Sequence, residues 1–142
     1  MVGVAVVQTR PLEWVIKGKL TRWQRPGYGR LSPTRQDVDE WIERVNSEGI
    51  VTVICLLSED QVTDYDHLEL PGTGLLGYYE EKGLSVYHIP IEDKPGRTDH
   101  ITDADRDKAA SAYLEATKPV LVHCSAGQDR TGAIVEHLRR IA

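Results

Sequence analysis

The sequence lacks the features that mark several large classes of protein. Only two of its 142 residues are cysteines, too few for a disulfide-stapled domain, and no Cys-x-x-Cys or Cys/His group indicates a zinc site. No apolar run approaches the roughly 20 residues that a membrane-spanning helix needs. Acidic residues outnumber basic ones, giving a net charge of −5, which argues against nucleic-acid or acidic-membrane binding.

The apolar start of the chain is the one stretch with the look of a targeting segment. In "MVGVAVVQTR", no basic residues precede the apolar run and no small-residue cleavage site follows it. This segment therefore predicts an edge strand or a loose terminus rather than a signal peptide. We expect a cytoplasmic protein with reduced thiols, folded as a single domain over residues 1–142.

Hydrophobic periodicity predicts strands that alternate with helices. The predicted strands cover 14–20, 50–57, 84–91 and 119–123. The predicted helices run from Thr34 to Gly49 and over 73–82, 102–117 and 130–141, with polar loops over 58–72 and 92–102. This alternation predicts an α/β fold with a central, mostly parallel sheet flanked by helices. In such sheets the active site lies at the carboxyl ends of the strands.

The stretch "VLVHCSAGQDRTG", residues 120–132, connects the last predicted strand to the last predicted helix. Small residues in its loop let the backbone curl, so that successive N–H groups point inward as an anion site at the helix N-terminus. Arg130 adds a guanidinium that can bind two phosphate oxygens. The predicted phosphate-binding residues are therefore Ser125, Ala126, Gly127, Gln128, Asp129 and Arg130.

The same positive field predicts a reactive cysteine at the base of this loop. It stabilises a thiolate at Cys124, which makes the side chain nucleophilic at neutral pH. A nucleophile beneath a bound phosphate is the arrangement that covalent phosphoryl transfer requires. Thr131 is positioned to donate a hydrogen bond to the sulfur when it leaves.

These residues carry a resemblance to a known family. "HCSAGQDRT" is similar to the His-Cys-x5-Arg-Ser/Thr signature of cysteine-dependent protein tyrosine phosphatases, with Cys124, Arg130 and Thr131 in register. "WVIKGKL" with "RPGYG", and later "GLSVYHIPIEDKPG", resemble the entry strand and the general-acid loop of small atypical dual-specificity phosphatases. The resemblance implies a phosphatase-type fold, a buried supporting role for His123, a cysteinyl-phosphate intermediate, and no metal or cofactor.

The leaving oxygen of a phosphoester needs a proton, which a positioned carboxylic acid supplies. We predict that this acid is Asp93, which follows a strand end and precedes Cys124 by 31 positions, a spacing similar to that in dual-specificity enzymes. Asp129, beside Arg130, either ties the loop together or touches substrate. The other candidates for the acid are Glu59 and Asp60 of an earlier loop, and Glu92, Asp99 and Asp103.

Cys55 ends a predicted strand that neighbours the last one. It is interpreted either as a small core hydrophobe or as a resolving cysteine that forms a reversible disulfide with Cys124.

The predicted function is hydrolysis of phosphotyrosine, and also of phosphoserine and phosphothreonine, in a phosphorylated protein or peptide. The broader specificity is expected because the Lys-Asn-Arg-Tyr segment that deepens the pocket of tyrosine-specific enzymes is absent. Gln128 stands where related phosphoinositide phosphatases usually carry lysine. The alternatives are a phosphoinositide or RNA 5′-phosphate phosphatase, a catalytically silent phosphate-binding pseudophosphatase, and a rhodanese-type sulfurtransferase.

Overall fold

A five-stranded sheet forms the centre of the structure, a computed structural model that describes residues 10–142. Its strands are β1 (Glu13–Ile16), β2 (Leu20–Trp23), β3 (Thr52–Cys55), β4 (Ser85–His88) and β5 (Val120–His123). They lie in the order β1-β2-β5-β3-β4, and the β1–β2 pair alone among them is antiparallel. The predicted α/β class with a mostly parallel sheet is confirmed. The prediction for residues 1–9 falls outside the described residues.

Helices flank this sheet, and two of the three longest begin at a capping box that is visible in the sequence. The helices are α1 (Arg35–Ser47), α2 (Glu59–Thr63), α3 (Gly74–Glu81), α4 (Asp103–Glu115) and α5 (Asp129–Ile141), with a 3-10 turn at Asp66–Leu68. At the start of α1 the Thr34 hydroxyl accepts from the Asp37 N–H at 3.1 Å, and the Asp37 carboxylate accepts from the Thr34 N–H at 2.8 Å. A helix of the length and apolarity needed to cross a membrane does not occur within residues 10–142.

Two predicted segments differ from the structure. The single strand predicted over 14–20 is a hairpin, because Gly18 takes a φ of +76° and reverses the chain between β1 and β2. The segment 58–72, predicted as a polar loop, contains α2 and the 3-10 turn. A capping box between Ser58 and Gln61 starts α2, although the helix buries no residue and so gave no hydrophobic period.

The sheet divides the core into two clusters. Alternate residues of β3 and β5 point to opposite faces, as the period of two requires. The first core cluster contains Val53, Cys55 and Leu121 with residues of α1 and α3; the second contains Ile54, Val120 and Val122 with residues of α4 and α5. All four residues of β5 are buried. Because β5 is the third of the five strands in the sheet, its carboxyl end lies in the middle of the sheet edge, where an α/β site is expected.

Candidate active site

The loop after β5 begins at Cys124, which the structure buries at 2% exposure. Strand pairing continues just beyond β3, where the Leu56 N–H donates to the His123 carbonyl at 2.8 Å. Residue 124 is therefore held by the sheet itself, and residues 125–128 form the turn that leads into α5.

Donors outside the loop fix the direction of its peptide groups. The Arg25 N–H donates to the Ser125 carbonyl at 2.9 Å. Arg22 Nη2 donates to the Gly127 carbonyl at 2.7 Å and to the Gln128 carbonyl at 3.3 Å. In a planar trans peptide the C=O and the following N–H point in opposite directions. The N–H groups of residues 126, 128 and 129 therefore point away from these two arginines, as an anion-binding nest requires.

Gly127 is the loop residue that no other amino acid can replace. Its φ is +72°, in the left-handed region that favours glycine. A Cβ built there would lie 2.5 Å from the Trp23 carbonyl oxygen and 2.6 Å from its carbon, both backbone atoms of β2. Two independent constraints therefore require glycine at this position.

His123 supports the loop from the face of the sheet that packs against the first core cluster. Its Nδ1–H donates to the Cys124 carbonyl at 3.0 Å, since a carbonyl can only accept. Nε2 is then the acceptor for the Tyr79 hydroxyl at 3.2 Å. Complete burial is the main cause that lowers the pKa of His123 to about 4, so the ring is neutral at pH 7. This buried support is the role that the family resemblance implied.

Arg130 lies in the first turn of α5 with only 2% exposure. Its Nη1 donates to the carbonyl oxygens of Leu56 at 3.3 Å and Ile91 at 2.8 Å, and to Gln61 Oε1 at 2.8 Å. Its Nη2 lies 3.2 Å from Asp93 Oδ2. Within residues 10–142 its Nε makes no hydrogen bond, so the Nε–Nη2 edge remains able to bind two oxygens of a phosphate.

A cavity of about 160 Å³ opens onto the cysteine. Its lining brings together the predicted nucleophile, the predicted acid and four of the six predicted phosphate-binding residues: Tyr28, Asp93, Pro95, Cys124, Ser125, Ala126, Asp129 and Arg130. Asp93 Oδ2 accepts from Gln61 Nε2 at 2.9 Å, and the side chain is 36% exposed. The carboxylate thus has both a fixed position and access to the cavity.

The other candidate acids lie elsewhere. Glu59 and Asp60 are exposed in the first turn of α2 and do not line the cavity. Asp99 is bound by Arg97, with the closer contact at 2.7 Å, and Asp103 is fully exposed. Glu92 is exposed as well.

Three further predicted residues have distinct surroundings. Asp129 accepts from the Gly96 N–H at 2.8 Å and thereby ties the acid loop to α5. The Thr131 hydroxyl is fully buried and has no hydrogen-bond partner within residues 10–142. Gln128 lines a neighbouring cavity of about 280 Å³ with Arg10 and Arg22, not the cavity of the cysteine. Its amide oxygen, turned toward Arg10, accepts from that guanidinium.

Sequence reasoning missed Gln61, Arg22 and Tyr28. Gln61 lies on a helix too short to show a hydrophobic period, and the only signal was the Ser58-x-x-Gln61 capping pattern. Arg22 acts through loop carbonyls, which no side-chain motif reveals. Tyr28 belongs to the Pro/Gly turn region that enters the cavity wall.

Solved phosphatase structures share this fold. The core catalytic domain of the PP-IP phosphatase SIW14 from S. cerevisiae is 20% identical, with a TM-score of 0.60, covering 94% of this chain and 69% of that one. Kinase associated phosphatase is 19% identical, with a TM-score of 0.59, covering 84% of this chain and 65% of that one. Tk-PTP is 21% identical, with a TM-score of 0.55, covering 87% of this chain and 66% of that one. The chain therefore spans about two thirds of the length of these proteins.

Sequence comparison identifies the family. No curated protein matches the chain in sequence. The family described as "Tc-R-P: Polymorphic toxin system, DSP-PTPase phosphatase" matches residues 27–139, which include the hairpin-to-α1 turn, the acid loop and the phosphate loop. The chain belongs to this DSP-PTPase family and is a small, atypical cysteine-dependent phosphatase.

Proposed function

We propose that the protein hydrolyses phosphate monoesters through a cysteinyl-phosphate intermediate. The Cys124 thiolate attacks phosphorus, a sulfur–phosphorus bond forms, and the bond to the leaving oxygen breaks. Asp93 gives its proton to that oxygen, while loop N–H groups and Arg130 stabilise the charge on the transferring group. The observation that supports this proposal most strongly is the convergence of Cys124, Asp93 and Arg130 on one cavity.

The second step uses the same residues in reverse. The Asp93 carboxylate takes a proton from water, the oxygen attacks phosphorus, and the sulfur–phosphorus bond breaks to release phosphate and the thiolate. Thr131 has a fully buried hydroxyl with no partner within residues 10–142. The signature register assigns that hydroxyl as the donor to the departing sulfur, and within the described part of the chain it makes no hydrogen bond with Cys124 Sγ before the reaction.

The substrate that we propose is a protein or peptide bearing phosphotyrosine, phosphoserine or phosphothreonine. Tyr28 and Pro95 give the cavity an aromatic and an apolar wall, which suits the ring of a phosphotyrosine. The sequence has no Lys-Asn-Arg-Tyr segment to deepen the cavity, so shorter phosphoserine and phosphothreonine side chains also reach the sulfur.

Two variants test this proposal with an aryl phosphate and a panel of phosphopeptides. Cys124→Ser is expected to abolish turnover, since an unactivated hydroxyl replaces the thiolate. Asp93→Asn is expected to lower kcat about 10²- to 10⁴-fold for phenyl phosphate, and far less for p-nitrophenyl phosphate, whose leaving group needs no proton. Near-normal turnover by Cys124→Ser contradicts the mechanism. An unchanged rate for Asp93→Asn directs the search to Asp129, the other carboxylate that lines the cavity.

A second candidate substrate is a polyphosphorylated small molecule. The neighbouring cavity holds Arg10 beside Gln128, so a cation from the segment before β1 lies next to the loop position that lacks a lysine. SIW14, one of the structural neighbours, is described as a PP-IP phosphatase. Parallel assays on inositol pyrophosphates, phosphoinositides and RNA 5′-phosphates decide between the classes. If Arg10→Ala raises KM for these substrates and leaves KM for phosphopeptides unchanged, the second candidate is favoured.

A further inference from the structure

We propose that Gln61 is a positioning residue that couples the phosphate-binding guanidinium of Arg130 to the general acid Asp93. The inference rests on the proposed role of Asp93 and adds a third side chain that sets its geometry. Gln61 lies on α2, outside the phosphatase signature and outside the lining of the cysteine cavity.

The amide of Gln61 uses both of its ends. Its Oε1 accepts from Arg130 Nη1 at 2.8 Å and from the Ser58 N–H at 3.2 Å. Its Nε2 donates to Asp93 Oδ2 at 2.9 Å. A cation requires an acceptor and a carboxylate requires a donor, and a side-chain amide offers one of each on a single planar group. Glutamate and leucine have similar size but cannot make both contacts.

Gln61 is itself fixed by the capping box of α2. Its backbone N–H donates to the Ser58 hydroxyl at 3.3 Å, while its side chain closes the box at the Ser58 N–H. Asp93, in contrast, lies on an irregular loop with its side chain 36% exposed. Without Gln61 the carboxylate keeps only its contact with Arg130 Nη2, so the helix supplies a second anchor that the loop itself lacks.

The contacts also determine which oxygen carries the proton. Gln61 Nε2 and Arg130 Nη2 both approach Asp93 Oδ2, at 2.9 Å and 3.2 Å. An oxygen that accepts from two donors is the poorer site for a proton, so Oδ1 is the oxygen from which the proposed acid donates. Within residues 10–142 Oδ1 has no hydrogen-bond partner, and it is therefore available to the leaving oxygen. Gln61 thus sets the distance between the acid and the phosphate-binding edge of Arg130.

The first test compares two leaving groups and uses a double-mutant cycle. Gln61→Leu is expected to lower kcat about 10- to 100-fold for phenyl phosphate and less than about 3-fold for p-nitrophenyl phosphate. In an Asp93→Asn background the same substitution is expected to change kcat for phenyl phosphate by less than about 2-fold, because the group it positions is gone. Equal losses on both substrates, or an undiminished loss in the Asp93→Asn background, overturn the proposal.

The second test uses Gln61→Glu and the pH profile of kcat. This variant keeps the acceptor for Arg130 and replaces the donor to Asp93 by a second carboxylate. A like charge favours the protonated form of the pair, so the basic limb of the profile, which reports loss of the acid's proton, moves to higher pH by about 1 unit. A basic limb at the wild-type pH overturns the proposal, because it shows that Gln61 does not touch the acid.

A control variant separates positioning from the general loss of a glutamine side chain. Gln36→Leu makes the same substitution on the exposed face of α1, and is expected to keep the wild-type ratio of kcat for phenyl phosphate to kcat for p-nitrophenyl phosphate. If Gln36→Leu reproduces the effect of Gln61→Leu, the effect does not come from the contact with Asp93 and the inference fails. If Asp93→Asn shows no leaving-group dependence, both the proposed function and this inference fail.

Discussion

Two buried ionisable side chains, Arg130 and His123, hold different charge states around the phosphate loop. The Arg130 guanidinium has three acceptors at Nη1, and the Asp93 carboxylate lies beside Nη2. His123 is neutral, chiefly because burial opposes its protonation, and Arg130 adds to that effect. Of these two buried side chains, Arg130 is therefore the cation and His123 is the neutral support.

The charge state of His123 makes stability depend on pH. Its pKa is lowered to about 4 in the folded protein, from about 6.5, so the unfolded chain binds the extra proton first as pH falls. The contribution of neutral His123 is complete above pH 6.5 and is lost between pH 6.5 and 4, by about 3 kcal/mol at most. Urea unfolding at pH 7, 6, 5 and 4 measures this loss.

His123→Asn is the matched variant for that measurement. Asparagine retains a donor near the position of Nδ1 and cannot take up a proton, so its free energy of unfolding is expected to fall less steeply over the same window. Parallel slopes for the wild type and His123→Asn contradict the assignment, whatever the absolute stability of the variant.

At the scale of elements, the strand–loop–helix unit around Cys124 was predictable from the sequence. The β1–β2 hairpin and the short helix α2, which support that unit, were not. The β-branched run before Cys124, the small loop residues and the helical period after Arg130 all indicated the same arrangement. The hairpin of β1 and β2 was read as one strand, because a weak alternation continues across Gly18. Gln61 was missed because α2 owes its start to a polar cap rather than to burial.

The β1–β2 hairpin is nevertheless part of the site, since Arg22 of β2 holds the outer face of the phosphate loop. Arg22→Met removes two charge-assisted hydrogen bonds to loop carbonyls, so the N–H groups on the inner face lose their fixed direction. We expect binding of inorganic phosphate to weaken about 10-fold or more, as measured by calorimetry.

Arg35→Met is the control for this loss of a positive charge, because Arg35 is half-exposed on α1 and pairs with Asp39. It is expected to bind phosphate as the wild type does. Equal affinities for Arg22→Met and Arg35→Met would show that the hairpin does not organise the loop.

Across the whole molecule, the sheet separates the two cysteines. Cys55 pairs in register with His123 and packs in the first core cluster, whereas Cys124 packs in the second. Burial raises the pKa of the Cys55 thiol to about 12, so it is not a thiolate at neutral pH. Both observations favour the interpretation of Cys55 as a core residue rather than a resolving cysteine.

Oxidation distinguishes the two interpretations of Cys55. We expect mild peroxide to oxidise Cys124 without forming a disulfide to Cys55, because the side chains face opposite sides of the sheet and the attacking thiolate is absent. Mass spectrometry of the non-reduced digest detects the crosslinked peptide. Its appearance at low peroxide, and its loss in Cys55→Ser, would establish a resolving role for Cys55.

The central claim is that a phosphoryl group passes through Cys124, and direct trapping of that intermediate tests it most directly. Asp93→Asn slows the attack of water as well as protonation, so the intermediate accumulates when this variant is mixed with p-nitrophenyl phosphate and quenched in acid. We expect mass spectrometry to find one phosphoryl group on Cys124. Nitrophenol release with Cys124 unmodified, or with the phosphoryl group on another residue, would contradict the account.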